Sequence, residues 1–320
     1  MVRGTLDIEG YRNKVESAHK IVRKWAHNTP ILKSTAINSL VGCEVFFKCE
    51  NFQKIGAFKM RGAVNAVMSY DKTKKDKGFV THSSGNHAQA VALSSQIAKT
   101  KAHIVMPKNA PQIKISAVKG YGASVYLCEN NEQSRVETCE KIIKKTEANF
   151  IHPYDNEQVI CGQATCAKEI FEELIGVNYI MCPVGGGGLA SGTIISTRLY
   201  SPQTKVVLSE PLNASDAHES FVKKKLIPVD NPNTIADGLK TSLAKRTFDI
   251  ILNGAEKIIT VSEAEIIFAM KLIWERMKIV CEPSCAVPLA ALIKEKNNFS
   301  NKKIAIILTG GNVDVKALPF

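Results

Sequence analysis

The chain alternates between short apolar runs and amphipathic stretches, and this alternation limits the possible folds more than any other feature. Six runs have the length and composition of buried strands: EVFFKCE (44–50), AHIVMP (102–107), ASVYLC (123–128), YIMCPV (179–184), KVVLSE (205–210) and KIAIILT (303–309). Strands that alternate with helices pair in parallel, because each helix returns the chain across one face of the sheet. The pattern predicts an α/β fold with parallel sheets flanked by helices.

The amphipathic stretches have the spacing of helices. The segment EQSRVETCEKIIKKTEA (132–148) places Val136, Cys139 and Ile143 on one face and charged residues on the other. A capping box, S-x-x-E, begins at Ser262 and precedes apolar residues at helical intervals. We therefore expect one helix over 132–148 and another that begins just after Ser262.

Length and composition indicate an ordinary globular protein of two domains. A chain of 320 residues exceeds what one hydrophobic core usually supports, and its 45% hydrophobic and 22% charged residues are typical of soluble domains. No apolar run approaches the roughly 20 residues of a membrane span, and the N-terminal residues lack the apolar stretch of a signal peptide. Nine cysteines scattered through apolar segments favour buried reduced thiols over a disulfide framework. We therefore expect a cytoplasmic protein with no membrane partner.

The formal net charge of +12 is spread over loops. Its densest runs are KTKKDK (72–77), VKKKL (222–226) and KEKNNFSNKK (294–303). No recognisable nucleic-acid-binding module accompanies them, and the seven histidines show no HxxxH or HxH spacing that would suit zinc. We expect small anionic ligands and no nucleic-acid partner.

A tetraglycine loop, Gly185 to Gly188, lies between a predicted strand and a predicted helix. Glycines let backbone amides approach a ligand closely, and the helix N-terminus adds positive charge, so a phosphate is the expected ligand. No Lys-Ser/Thr pair follows, so the loop is not a Walker A motif. It does match G-x-G-x-x-A through Ala190, and Glu210 ends the next strand, where a dinucleotide site keeps its ribose-binding acid. NAD binding therefore stays open at this point.

Three further motifs carry chemistry. In GAFKMRGA, Lys59 has apolar neighbours, which lower a lysine pKa and favour Schiff-base formation; a helix start with a solvent-directed lysine is the alternative. In THSSGNHA, Ser83, Ser84 and Asn86 form a nest of carboxylate size, whereas helix capping explains only one serine. In TGGN, Thr309 ends a predicted strand with its hydroxyl available.

A reactive lysine, a carboxylate nest, a phosphate loop and a strand-end hydroxyl are together the parts of a pyridoxal-phosphate site, whereas NAD binding explains only the tetraglycine loop. With these motifs, and with NTPILKS (28–34), ADGLK (236–240) and CEPSCA between them, the chain resembles the fold-type II pyridoxal-phosphate enzymes over nearly its whole length. Within them it resembles the branch of serine racemases and serine/threonine dehydratases. The resemblance implies two open, twisted, mostly parallel sheets flanked by helices, as in the tryptophan synthase beta-like fold. It implies a large cofactor-binding domain of residues 1–68 and 153–320 and a smaller mobile domain of residues 69–152.

The resemblance also implies roles for individual residues. Lys59 would hold pyridoxal 5'-phosphate covalently, and the substrate carboxylate would bind in the loop of Ser83, Ser84, Asn86 and His87. The other cofactor contacts implied are Phe58 on the ring face, Asn86 at the ring hydroxyl, the backbone amides of Gly185, Gly186, Gly187, Gly188 and Leu189 at the phosphate, and Thr309 at the pyridine nitrogen.

The implied activity is serine racemisation, an isomerase reaction, with a lyase side reaction. Lys59 and Ser84 would serve opposite faces of a Cα carbanion, and loss of the β-hydroxyl from it would give an aminoacrylate, which hydrolyses to pyruvate and ammonia. Many plain threonine dehydratases have alanine where this chain has Ser84, but 3-hydroxyaspartate dehydratases have a similar loop. The alternative is therefore an ammonia-lyase for L-serine, L-threonine or 3-hydroxyaspartate with little racemisation. A catalytically silent sensor is disfavoured, because Lys59 and Ser84 are both present.

Three further features follow from the resemblance: a divalent-cation site, a homodimer and an allosteric ATP site at its interface. Glu210, Asp216 and the carbonyl of Ala214 would bind Mg²⁺ or Ca²⁺, which displaces the ribose role of Glu210; a capped loop with two solvated acids is the alternative. Ile55 stands where a threonine is typical of the nucleotide site, and Tyr154 replaces an asparagine near the cofactor. The residues matching ATP contacts are Ser34, Thr35, Lys54, Gln89, Tyr121, Lys278 and Asn312.

Overall fold

The structure is a computed structural model that describes residues 8–110 and 112–320. Residues 1–7, on which the expectation of no signal peptide partly rests, lie outside that range. The strands are β1 (Ile31–Leu32), β2 (Glu44–Cys49), β3 (Phe79–His82), β4 (Ala102–Pro107), β5 (Ser124–Cys128), β6 (Asn149–Phe150), β7 (Tyr179–Pro183), β8 (Lys205–Pro211), β9 (Lys257–Val261) and β10 (Lys303–Leu308). The α-helices are α1 (Ile8–Trp25), α2 (Thr35–Val41), α3 (Lys59–Ser69), α4 (Lys72–Asp76), α5 (Asn86–Ile97), α6 (Gln112–Gly120), α7 (Glu132–Thr146), α8 (Glu157–Glu173), α9 (Gly188–Tyr200), α10 (Asp216–Lys223), α11 (Lys245–Gly254), α12 (Glu263–Met277) and α13 (Pro283–Lys294).

The strands form two sheets, which confirms the predicted α/β class. The larger has the order β1-β2-β10-β7-β8-β9 and is parallel except for β1, which pairs antiparallel with β2. The smaller has the order β5-β4-β3-β6 and is parallel throughout. All four strands of the smaller sheet fall within the predicted domain of residues 69–152; the exact boundaries stay a prediction.

All six apolar runs form strands, and the predicted capping box is present. Ser262 Oγ accepts a hydrogen bond from Glu265 N–H (3.3 Å), while Glu265 Oε2 accepts one from Ser262 N–H (2.7 Å). The run ASVYLC, however, is only partly buried: β5 is an edge strand and its Leu127 is 52% exposed, while Ala123 and Cys128 are buried. In α7, Val136 is exposed and the buried face runs through Cys139 and Ile142 instead.

Burial elsewhere agrees with the composition. All nine cysteines are free and buried, as expected. No helix of the described residues is long and apolar enough to cross a membrane.

Helix α8 fixes the spacing between two helices that carry predicted site residues. It lies between α3, which begins at Lys59, and α9, which begins in the tetraglycine loop. A Cβ on Gly162 of α8 would lie 2.5 Å from Arg61 O of α3. A Cβ on Gly192 of α9 would lie 2.6 Å from Ala164 N of α8. Because these contacts leave no room for a side chain, the backbones meet directly and the separation of α3 from α9 is set by packing.

Candidate active site

The segments that follow β3, β7 and β10 carry the predicted site residues. In parallel sheets the carboxyl ends of the strands lie on one edge, where ligands usually bind. Thr309 directly follows β10. The segment before α3 reaches the same edge, because Phe58 N–H donates to Thr309 O (3.0 Å) and Ala57 forms an antiparallel bridge with Gly310. This pairing places Lys59 close to Thr309 in the fold.

Lys59 is the first residue of α3 and is half-buried. Its Nζ donates a hydrogen bond to Pro153 O (3.1 Å) and lies 5.3 Å from the centroid of the Phe58 ring. Burial lowers the pKa of Lys59 to about 8, although the nearby carboxylate of Glu282 opposes the shift. An amine with this pKa is partly unprotonated near neutral pH, so it can act as a nucleophile or as a base.

Two residues beyond Lys59, Arg61 anchors the first turn of α3 in a buried ionic network. Arg61 is 0% exposed, and its guanidinium donates two hydrogen bonds to Glu50 (2.7 and 2.8 Å) and two to Glu169 (both 2.7 Å). Lys48 Nζ also lies 2.8 Å from Glu169 Oε2. Two cations therefore face two carboxylates. The paired hydrogen bonds of Arg61 offset the cost of burying these charges. The network ties the helix that carries Lys59 to β2 and α8.

The serine loop, residues 83–87, follows β3 and leads into α5. Helix capping does not explain its serines, because the N-cap position is Gly85 and no side chain caps α5. Ser83 Oγ instead accepts a hydrogen bond from Gly85 N–H (3.2 Å) and closes the loop on itself. Ser84 is half-buried, and its hydroxyl has no hydrogen-bond partner within residues 8–110 and 112–320. The Ser84 hydroxyl is therefore available to a ligand.

His87 places the serine loop next to Lys59. Its Nε2 lies 3.3 Å from Ile151 O and donates there, while Nδ1 is buried without a partner among the described residues. Burial lowers the pKa of His87 well below its usual range, and the positive charge of Lys59 lowers it further. The ring is neutral at pH 7. Lys59 Nζ bonds Pro153 O, two residues after the carbonyl that His87 bonds, so both side chains contact the same short segment.

Glu282, which was not among the predicted site residues, connects the serine loop to the TGGN loop. Its carboxylate accepts hydrogen bonds from Asn86 Nδ2 (3.0 and 3.2 Å) and from Asn312 N–H (3.2 Å). Asn312 Nδ2 in turn donates to Asn86 Oδ1 (2.7 Å). Burial raises the pKa of Glu282 to about 7, and the charge of Asp237 adds to the shift. In the sequence Glu282 is only a glutamate before the proline that starts α13, a pattern typical of ordinary helix starts.

The tetraglycine loop packs too tightly for larger residues. Gly187 has a φ of +85°, in the left-handed region that favours glycine, and directly precedes the first residue of α9, Gly188. A Cβ on Gly188 would lie 2.9 Å from Tyr154 Cβ, and a Cβ on Gly186 would overlap the Tyr154 ring. Thr247 Oγ1 donates to Gly186 O (2.9 Å). With its backbone held in this way at a helix N-terminus, the loop forms a tight cradle for an anion such as a phosphate.

Thr309 provides the test of whether the residues present fit pyridoxal phosphate. It is 2% exposed, and its hydroxyl has no hydrogen-bond partner in the part of the chain that the structure describes. A buried hydroxyl without a partner is costly, and a heteroaromatic nitrogen would satisfy it. Together with the lowered pKa of Lys59 and the glycine cradle, this hydroxyl gives a donor set that fits the cofactor.

Of the predicted cation ligands, Glu210 lies near the end of β8, and Ala214 and Asp216 follow it. All three are buried, so the alternative of two solvated acids is wrong. Glu210 accepts hydrogen bonds from the N–H groups of Ala217 (3.1 Å) and His218 (2.9 Å), which does not suit a ribose-binding acid. Neither oxygen of Asp216 has a hydrogen bond of normal geometry among the described residues, although the backbone N–H of Leu243 lies near enough to lower its pKa. Burial raises the pKa of Glu210 well above its usual range and that of Asp216 to about 7, and the two carboxylates repel each other. Two such carboxylates near the buried Ala214 fit a hard divalent cation.

The seven residues expected at a nucleotide site are spread over several elements, and only Ser34 and Thr35 share one. Ser34 caps α2, Gln89 is buried in α5, and Asn312 belongs to the Glu282 cluster. The others are Thr35 at the start of α2, Lys54 before α3, Tyr121 after α6 and Lys278 after α12. No hydrogen bond within the described ranges joins any two of the seven. The ATP site therefore stays a prediction.

Comparisons with known proteins agree with this geometry. Residues 22–310 match the family model "Pyridoxal-phosphate dependent enzyme". The chain is 46% identical over 309 residues to a serine racemase of Dictyostelium discoideum, with 95% of each chain covered. It is 44% identical over 304 residues to a beta-hydroxyaspartate dehydratase of Paracoccus denitrificans, with 95% of this chain and 96% of that protein covered. The crystal structure of the Dictyostelium serine racemase superposes with a TM-score of 0.91 at 45% identity, covering 95% of this chain and 98% of that one.

Proposed function

The chain belongs to the family of pyridoxal-phosphate-dependent enzymes, and we propose that it is an amino-acid racemase that interconverts L- and D-serine and also dehydrates serine to pyruvate and ammonia. The observation that carries this proposal is the half-buried hydroxyl of Ser84, which has no hydrogen-bond partner among the described residues. It lies in the loop that leads into α5, the helix packed against the helix of Lys59. The 46% identity to a serine racemase over 95% of the chain supports it.

Residues of this chain could hold each part of the cofactor. Bound pyridoxal phosphate would supply an electron sink for the electron pair that remains on the substrate Cα when its proton leaves. Lys59 would hold the cofactor covalently, and the backbone amides of the tetraglycine loop and Leu189 would bind its phosphate. Phe58 would pack on the ring face, and the Thr309 hydroxyl, which lacks a partner among the described residues, would bond the ring nitrogen. A hydroxyl keeps that nitrogen less protonated than a carboxylate would, which suits chemistry at Cα and Cβ.

Racemisation requires a proton to leave Cα on one face and another to arrive on the opposite face. Lys59 serves one face, and its pKa of about 8 leaves enough free amine to take the proton near neutral pH. Ser84 serves the other face with its free hydroxyl. Dehydration needs proton transfer at Cα only on the face that Lys59 serves. The two reactions therefore share their first proton transfer.

The serine loop binds and orients the substrate. Ser83, Asn86 and His87 bind its carboxylate together with Ser84, and Glu282 holds Asn86 in place through two hydrogen bonds. Closure of the smaller domain, residues 69–152, then excludes water from the reacting atoms.

The proposal includes a structural Mg²⁺ or Ca²⁺ at Glu210, Asp216 and the carbonyl of Ala214, supported by the two buried, mutually repelling carboxylates. It also includes a cytoplasmic homodimer and ATP as an allosteric effector at the dimer interface. The family resemblance supports the dimer and ATP, and the nine free thiols agree with a reducing compartment.

A second candidate is an ammonia-lyase that acts on 3-hydroxyaspartate. The 44% identity to a beta-hydroxyaspartate dehydratase over 95% of the chain favours it. It differs from the first proposal in its substrate and in the absence of a D-product.

A chiral assay tests the proposal directly. The holoenzyme is incubated with L-serine, and D-serine and pyruvate are measured in parallel, with 3-hydroxyaspartate as a second substrate. We expect both products from L-serine, and neither product from Lys59→Ala. Ser83→Ala, which changes the adjacent serine, should weaken substrate binding yet still form D-serine. Pyruvate without D-serine, or turnover of 3-hydroxyaspartate alone, would overturn the racemase in favour of the lyase.

A further inference from the structure

One salt bridge crosses between the two sheets of the molecule. Lys114, on α6 between strands of the smaller sheet, places Nζ 2.7 Å from Asp237 Oδ2, in a turn between β8 and β9 of the larger sheet. Among the ion pairs between described residues, it is the one that joins the predicted smaller domain to the rest of the chain. The two side chains are 25% and 57% exposed, so the pair lies at the surface.

The elements that carry Lys114 and Asp237 both pack against elements of the candidate active site. The turn that carries Asp237 packs on the tetraglycine loop, since a Cβ on Gly185 would lie 3.2 Å from Gly238 O. Gly238 N–H also donates to Ser284 Oγ (3.1 Å), in the first turn of α13. On the other side, α6 is anchored by Val118, which lies in the same core cluster as residues of β3 and α5. The bridge therefore connects the phosphate cradle to the unit that carries Ser84.

Resting on the proposed function, we infer that Lys114 and Asp237 are positioning residues whose salt bridge holds the smaller domain closed over a substrate at Lys59. They touch no reacting atom. Their salt bridge raises the fraction of enzyme molecules in which Ser84 and Lys59 face each other across the substrate. An exposed ion pair of this kind changes such an equilibrium by about 2- to 5-fold.

The same two charges also act on Glu282, and this effect must be separated from closure. Asp237 raises the pKa of Glu282 and Lys114 lowers it; the other groups that face Glu282 are Asn86, Asn312 and the amine of Lys59. Removing Lys114 and removing Asp237 therefore shift the pKa of Glu282 in opposite directions. Both changes, by contrast, weaken closure in the same direction.

The test uses the variants Lys114→Gln and Asp237→Asn, the exchanged pair Lys114→Asp with Asp237→Lys, and the control Lys108→Gln. Lys108 pairs with Glu129 at 2.5 Å, but both residues belong to the predicted smaller domain and are 63% exposed. The control therefore removes a surface ion pair that does not connect the smaller domain to the rest of the chain. Two quantities are measured on the holoenzyme: KM and kcat for serine, and, without any substrate, the rate at which borohydride bleaches the cofactor absorbance. The second measures how open the site is and does not depend on turnover.

We expect both single variants to raise KM and the bleaching rate by about 2- to 5-fold, with kcat changed less than KM. The exchanged pair should return both quantities toward the wild type, and Lys108→Gln should change neither. Opposite changes in the two single variants would overturn the inference, because they would show that charge at Glu282 dominates. Unchanged bleaching in both single variants would also overturn it. A wild-type enzyme inactive on serine would refute the proposed function instead, while the bleaching rates would still test the bridge.

Discussion

Replacing Arg61 by methionine removes four hydrogen bonds from two buried carboxylates. Among the described residues, Glu50 is then left with the Thr29 hydroxyl, which donates to it at 2.5 Å, and Glu169 is left with Lys48. One cation would have to balance two anions in a site that water does not reach. Removing one partner of a buried ion pair typically costs about 3–5 kcal/mol, so we expect a loss of that size in the free energy of unfolding.

The loss is measured by urea unfolding of the protein stripped of cofactor, followed by far-ultraviolet circular dichroism. Arg12→Met is the matched control, because Arg12 pairs with Glu9 at 2.8 Å on the surface and its replacement should leave the free energy of unfolding nearly unchanged. Combining Arg61→Met with Glu50→Gln should recover part of the stability, since the second change removes the uncompensated charge. If Arg61→Met loses less than about 1 kcal/mol, or if the double variant is no more stable than the single one, the network does not anchor α3 as described.

Three further predictions follow from the site. Only the free amine attacks an aldehyde. The rate at which the apoprotein takes up pyridoxal phosphate should therefore rise with pH around a midpoint of about 8, the pKa of Lys59. A midpoint above 10 would contradict the argument that burial lowers this pKa. The raised pKa of Asp216 means that, without a cation, the folded state loses stability as pH rises from about 4 to about 7, since the unfolded state ionises first. Calcium should therefore raise the Tm more at pH 8 than at pH 6, and Asp216→Asn should abolish the difference. Gly186→Ala should weaken cofactor binding at least about tenfold in an absorbance titration, because its Cβ meets the Tyr154 ring, and Tyr154→Ala in the same chain should restore part of it.

The parts of the fold that follow local patterns could be predicted from the sequence. All six apolar runs form strands, and in five of them the continuous apolar residues match burial on both faces; β5, at an edge, is the exception. The capping box at Ser262 starts a helix through contacts only three residues apart. The loops that carry Lys59, Ser84 and Thr309 were recognisable because each combines small or polar residues with the end of a predicted element.

The remaining features depend on residues that are distant in sequence. The partners of Arg61 lie 11 and 108 positions away, and Glu282 meets Asn86 across 196 positions. No local pattern gives such pairings, just as nothing local shows that β5 lies at an edge. The sequence shows only that Ile55 stands where a threonine is typical. In the structure its φ of +59° is rare for a β-branched side chain, and its carbonyl accepts a hydrogen bond from Asn312 Nδ2 (2.7 Å).

The central claim is that Lys59 and Ser84 move protons on opposite faces of the same Cα. It is tested most directly by incubating Ser84→Ala with L-serine in D₂O and following deuterium at Cα and the appearance of D-serine. The wild type should give D-serine that carries deuterium. Ser84→Ala should still exchange the Cα proton of L-serine and form pyruvate through Lys59, but should form no D-serine. D-serine from Ser84→Ala at close to the wild-type rate would contradict the claim.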